Sequence, residues 1–172
     1  PAIGTPTVFT EPLHVEVEYY SAVALIKDDP EGDYWLWSFF MGSTSPYDKK
    51  AFSIVAPGAV ATEDARLVVR MQGSTSSGVN GEHGIRISVN GQAVGDDGVW
   101  TGPVAFEHTV LLKAGILKDG TNAVEITALR GAGAPYSIVY LDSFDLTYRR
   151  VASAVNNQLA VHAETAGPVT VS

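Results

Sequence analysis

Apolar and polar residues alternate with a period of two along most of this chain, and almost nowhere with the period of a helix. The first clear case is residues 13–20, where Leu13, Val15, Val17 and Tyr19 share one face and His14, Glu16 and Glu18 the other. Alternation of this kind puts one face on a core and leaves the opposite face to solvent. Further strands are predicted at 51–56, 66–73, 84–90, 104–112, 122–129 and 136–148. Residues 34–41 do not alternate. Their apolar run predicts a strand or short helix buried on both sides, with Trp35 and Trp37 in the core. Asn90-Gly91 is the strongest hairpin signal, because both residue types tolerate the positive φ that a type I′ turn requires. Residues 112–120 have room for one helical turn. At the far end, a turn holding Gly120 and Asn122 launches an alternating strand, and a longer strand follows with Asp142 and Asp145 set among apolar residues. That closing pair, with turn chemistry between evenly spaced strands, predicts an all-β fold: a two-sheet antiparallel jelly-roll sandwich, rather than a βαβ arrangement.

Composition sets the scale. The 172 residues are 45% apolar and 17% charged, with 17 Gly and 9 Pro, enough apolar material for one sandwich with many turns. We expect the sandwich over residues 1–150. Residues 151–172 read as a linker and the first strands of a following β domain. The chain opens on Pro1 rather than Met, as expected of a piece of a longer protein. A formal net charge of -8 without a Lys/Arg stripe argues against nucleic acid as a partner. Cysteine is absent, which excludes disulfides, zinc–thiolate sites and thiol catalysis from this segment. No run approaches the ~18 apolar residues that a membrane span needs.

Chemistry is expected in the loops. Pyranose rings stack on exposed aromatic faces while polar side chains bond the hydroxyls. Trp100, Tyr47 and Tyr136 are the candidate platforms, and His83, Asp96, Asp97 and Arg130 the candidate polar contacts. Catalysis finds little support. Neighbouring acidic residues do not make the paired carboxylates of a glycosidase, and no Gly-x-Ser-x-Gly elbow occurs. The loop at 73–78 resembles an elbow in composition alone. The four histidines (14, 83, 108 and 162) are scattered rather than clustered as zinc would require. The acidic turn at 28–33 lacks the spacing of a calcium-binding loop.

Several segments together resemble a known family: Asp33-Tyr34-Trp35-Leu36-Trp37, Val89-Asn90-Gly91, Lys118-Asp119-Gly120-Thr121-Asn122, the strand at 138–148, and the stretch at 166–172. Their order and spacing are similar to the region ahead of the catalytic domain in large gingipain-like secreted cysteine peptidases, over roughly residues 14–172. The resemblance implies a non-catalytic jelly-roll domain on an exported bacterial protein. The family's Cys–His dyad does not carry over, since this segment has no cysteine. The strand pattern also resembles galactose-binding-like folds and carbohydrate-binding modules. In many of those a structural calcium is held by glutamates of the first strand and an aspartate of the last, which implies Glu16, Glu18 and Asp142 here. Calcium takes six to eight oxygen ligands, so backbone carbonyls would have to join them. Taken together, the sequence predicts a secreted or cell-surface accessory module that binds glycan. The alternative is a structural spacer packed on a neighbouring domain of the same polypeptide.

Overall fold

The computed structural model describes residues 7–21 and 34–152, and every regular element among them is a β-strand. The strands are β1 (Val8–Glu16), β2 (Tyr20–Ser21), β3 (Trp35–Leu36), β4 (Ser38–Met41), β5 (Lys49–Ala56) and β6 (Ala65–Gly73). They continue with β7 (His83–Val89), β8 (Gln92–Ala93), β9 (Gly98–Trp100), β10 (Ala105–Leu112), β11 (Gly120–Arg130) and β12 (Ile138–Val151). One sheet is ordered β1-β12-β6-β10, with β4 paired to the first part of β12. The other is ordered β5-β11-β7-β8, with β9 paired to the start of β7. β2 and β3 form a separate short pair. Neighbouring strands run antiparallel throughout. The chain is an all-β, two-sheet antiparallel sandwich of jelly-roll type.

Alternation explains the core. Leu67, Val69 and Met71 of β6 and Val139, Leu141, Phe144 and Leu146 of β12 point inward from one sheet. Ile54 of β5, Ile85, Ile87 and Val89 of β7, and Val124, Ile126 and Ala128 of β11 meet them from the other, in a single buried cluster. The inward positions of β12 change phase between Leu141 and Phe144, where its register with β6 shifts. A bulge at Asp142–Ser143 absorbs the extra residue and keeps both halves of the strand facing the core. The β7–β8 hairpin turns on Asn90 (φ 51°) and Gly91 (φ 81°), as its sequence predicts. The Asn90 amide also donates to Asn122 Oδ1 and Ile116 O, tying this turn to the one before β11.

Three expectations need correction. Residues 113–119 form turns, with Ile116 N donating to Lys113 O, rather than a helical turn. β1 begins at Val8 and ends at Glu16, so Val17 and Tyr19 do not belong to its buried face and are exposed. Residues 34–41 are strand broken at Trp37, not a segment buried on both sides. Trp37 packs on Phe52 and Phe144, whereas Trp35 is half exposed. β12 runs to Val151, and Ala152 N donates to Thr7 O. The acidic turn at 28–33 and the following segment expected beyond residue 152 lie outside the described residues.

Candidate functional site

The expected site residues fall into separate groups. His83 and Trp100 are register partners between β7 and β9, and Arg130 of β11 pairs across from His83. Neither His83 nor Trp100 is a surface group. His83 is fully buried, with Nδ1 2.8 Å from Ser137 Oγ and Nε2 2.9 Å from Thr75 O. Trp100, expected in an exposed loop, lies in β9 with 7% of its surface accessible. Its ring stacks on Phe106 at 4.4 Å and lies against His83 at 5.2 Å, so it serves the core and offers no open face to a sugar. Tyr136 is exposed and reaches Ser76 O through its hydroxyl, at 3.3 Å. The Arg130 guanidinium caps Pro135 O at 2.9 Å.

Beneath these loops sits Glu82, which sequence reading passes over. Its side chain is fully buried and accepts hydrogen bonds from the backbone N–H groups of Ser77 and Gly102. Burial pushes its carboxyl up, but hydrogen bonding from Ser77 and Gly102 outweighs burial and holds it below the usual range. Gly131 N donates to Glu82 O, and any Cβ at Gly131 would stand 2.1 Å from Gly81 O, a backbone contact that only glycine permits. The loops at 74–82, 101–104 and 131–137 are thereby fastened to one another.

The seam between β1 and β12 carries the expected cation residues. Glu16 lies across from Ser143, one residue from Asp142, and Glu18 is exposed beyond the strand end. Glu16 is engaged by His14, whose Nε2 is 2.9 Å from Glu16 Oε2 and whose Nδ1 is 2.5 Å from Asp145 Oδ1. Arg70 also contacts Asp145, and the Ser143 hydroxyl donates to Asp142. Among the described residues no group of three or more His, Asp or Glu is arranged to hold a metal ion. The residues expected to hold calcium are not gathered into one site among the described residues, and Glu16 is already engaged by His14.

Hydrogen bonds to Glu16 and Asp145 raise the His14 pKa above its ordinary 6.5. A raised folded pKa contributes stability that is complete below 6.5 and is lost as pH rises through the higher folded pKa. His14 is half exposed, so the contribution is about 0.5 kcal/mol at most. His14→Ala should therefore narrow the melting-temperature gap between mildly acidic and mildly alkaline buffer. An unchanged gap would show that the seam is not titrating through this residue.

The outer face of the β5–β11–β7 sheet carries a groove lined by polar and charged side chains. Thr127 lies opposite Lys49 on one side and Arg86 on the other. In the next row Glu125 faces Ser88, which faces Ala93. The turn before β5 brings Ser45, Pro46 and Asp48 to one side, closing an open groove of about 660 Å³. Lys49 Nζ is 2.8 Å from Glu125 Oε1, and Arg86 grips Asp97 through two bonds of 2.8 and 2.7 Å. Bonding to Arg86 holds Asp97 below the usual carboxylate range and Arg86 above its own. Of the expected residues, Asp97 borders this groove through its bonds to Arg86. Asp96 is exposed nearby, and its carbonyl lies 2.9 Å from His108 Nε2.

Tyr47 joins an aromatic strip on the other side of the β4–β5 turn. Its ring stacks on Phe39 at 6.1 Å, Phe39 meets Tyr20 at 5.6 Å, and Tyr20 meets Tyr19 at 4.8 Å. Tyr140 adds a further ring, 6.5 Å from Tyr20.

No protein-family model matches the chain, and no curated protein matches it. Solved structures are similar to it at low sequence identity. A segment of dimeric latent PorU from Porphyromonas gingivalis superposes with a TM-score of 0.58 at 9% identity, covering 86% of this chain and 13% of that one. The chain therefore spans a small part of PorU's length, and the likeness is one of fold. A CBM36-1 domain of a multidomain xylanase from the hindgut metagenome of Trinervitermes trinervoides gives a TM-score of 0.43 at 12% identity, covering 79% of this chain and 96% of that one. A CBM36 carbohydrate-binding module in complex with calcium and xylotriose gives 0.40 at 15% identity, covering 78% and 98%.

Proposed function

We propose that this sandwich is a non-catalytic accessory module of a secreted multidomain protein, and that it holds glycan in the groove across β5, β11 and β7. The observation that carries the reading is the groove's lining. It is open, built on strands, and sets the hydroxyl side chains of Ser88 and Thr127 among the charged groups of Asp48, Lys49, Arg86 and Glu125. Such a surface matches the dense hydroxyls of a sugar chain, which bind best through charge-assisted hydrogen bonds on a preorganised frame. The shared fold with a small segment of PorU supports placement as one module among several.

The strip of Tyr19, Tyr20, Phe39 and Tyr47, with Tyr19 and Tyr47 exposed, favours a second reading, the structural spacer, in which these rings pack on a neighbouring domain. Affinity electrophoresis of the full chain across a polysaccharide panel separates the two. Under the glycan reading some polymer retards the protein, and Arg86→Ala or Thr127→Ala weakens that retention about tenfold or more while melting stays unchanged. A folded chain that no polymer retards would leave the spacer as the function.

A further inference from the structure

Each cation in the groove already has an anion. Lys49 is held by Glu125, which Ser88 Oγ also approaches at 3.4 Å, and Arg86 is held by Asp97 through both of its contacting nitrogens. Asp48 adds a further carboxylate to the wall. Counting these groups gives two positive and three negative charges, on a chain whose formal net charge is -8. A uronate or sulfate entering this groove would meet carboxylates first, and would reach Arg86 or Lys49 only by displacing one. An uncharged sugar has no such conflict. Its hydroxyls can donate to the carboxylates of Asp48, Asp97 and Glu125, and accept from Arg86, Lys49 and the two hydroxyl side chains.

We infer that the groove selects neutral polysaccharide and rejects acidic polysaccharide, and that the Arg86–Asp97 and Lys49–Glu125 pairs are the selecting device. This rests on the glycan reading proposed above. Pairing sets specificity by leaving no uncompensated charge for an anionic competitor, the usual way an interface excludes the wrong partner. It also makes binding nearly independent of salt, because little net charge is screened when a neutral chain docks.

The test runs the full chain through gels containing soluble arabinoxylan, mixed-linkage β-glucan, polygalacturonate or chondroitin sulfate, at low and high sodium chloride. At least one neutral polymer should retard the wild type, with retention changing less than about twofold between the two salts. The acidic polymers should be retained about tenfold less. Asp97→Asn frees Arg86 while keeping the side chain's shape. It should raise polygalacturonate retention about fivefold at low salt, the factor worth one charge pair at contact in water, and high salt should erase the gain. Wild-type protein that prefers acidic polymers, with salt-sensitive retention, overturns the inference while glycan binding itself survives. A neutral-binding wild type whose Asp97→Asn variant gains nothing for polygalacturonate overturns the role of the pairs. Retention by no polymer of either class removes the glycan reading, and this inference with it.

Discussion

Phe144→Ala is expected to cost about 3–5 kcal/mol of folding stability, the largest single effect in the sandwich, read from the midpoint of a urea or guanidinium transition. Phe144 is wholly buried and stands where the two sheets and the aromatic cluster meet. Its ring contacts Trp37 at 5.5 Å and Phe52 at 5.7 Å, both edge-on, and its strand neighbours are Val15 of β1 and Val69 of β6. Truncation leaves a cavity that β-sheet backbones on either side cannot close, so the loss of transfer energy and the cavity penalty add. A small domain has only about 5–15 kcal/mol in total, so much of the population would unfold at elevated temperature. Phe144→Leu keeps most of the volume and should lose far less. If the alanine variant lost under about 1 kcal/mol, Phe144 would not be the packed centre that the structure makes it.

That same residue shows how far the sequence could be read. Along β12 the apolar positions run Val139, Leu141, then Phe144, Leu146 and Tyr148, so the alternation slips by one at Asp142–Ser143. That slip is the bulge of the folded strand, although the sequence was read there as one uninterrupted strand. β5, β7, β10 and β11 were legible for the same reason, each lining one face of a core with every second residue. The Asn90-Gly91 turn was legible because its backbone demands those residue types. Trp100 was not. Gly98 and Gly102 on either side suggested an exposed turn, but Gly98 is there for close approach: a Cβ would stand 2.9 Å from Phe106 and 3.0 Å from His108. Removing that atom lets β9 press against the layer below and buries the indole. The groove was hidden for a different reason. Lys49, Arg86 and Glu125 occupy the solvent positions of alternating strands, which look the same whether or not a ligand sits on them. What distinguishes them is lateral pairing across strands far apart in sequence, and local pattern carries no information on that.

Glu82 was invisible for a related reason, and its removal is the second large effect expected. Glu82→Ala should lose about 2–3 kcal/mol, because the Ser77 and Gly102 amides would be left buried without an acceptor. His83 and Thr75 keep their own bond, so damage should centre on the loops at 74–82 and 101–104, visible as faster amide exchange there than in β6 or β11. Glu82→Gln retains one acceptor but turns an NH₂ toward the other amide, and should fall between wild type and alanine. Acid pH supplies the independent check. The folded carboxyl lies below its ordinary 4.5, so its contribution is complete above that value and is lost as pH falls through the lower folded one. The stability difference between wild type and Glu82→Gln should thus be constant from neutral pH down to about 4.5, then shrink on further acidification. Using the difference cancels the titration of every other carboxylate common to both proteins. A gap that stays flat through the acid limb would mean that Glu82 holds the loops by shape alone, and that its charge adds nothing to the clamp.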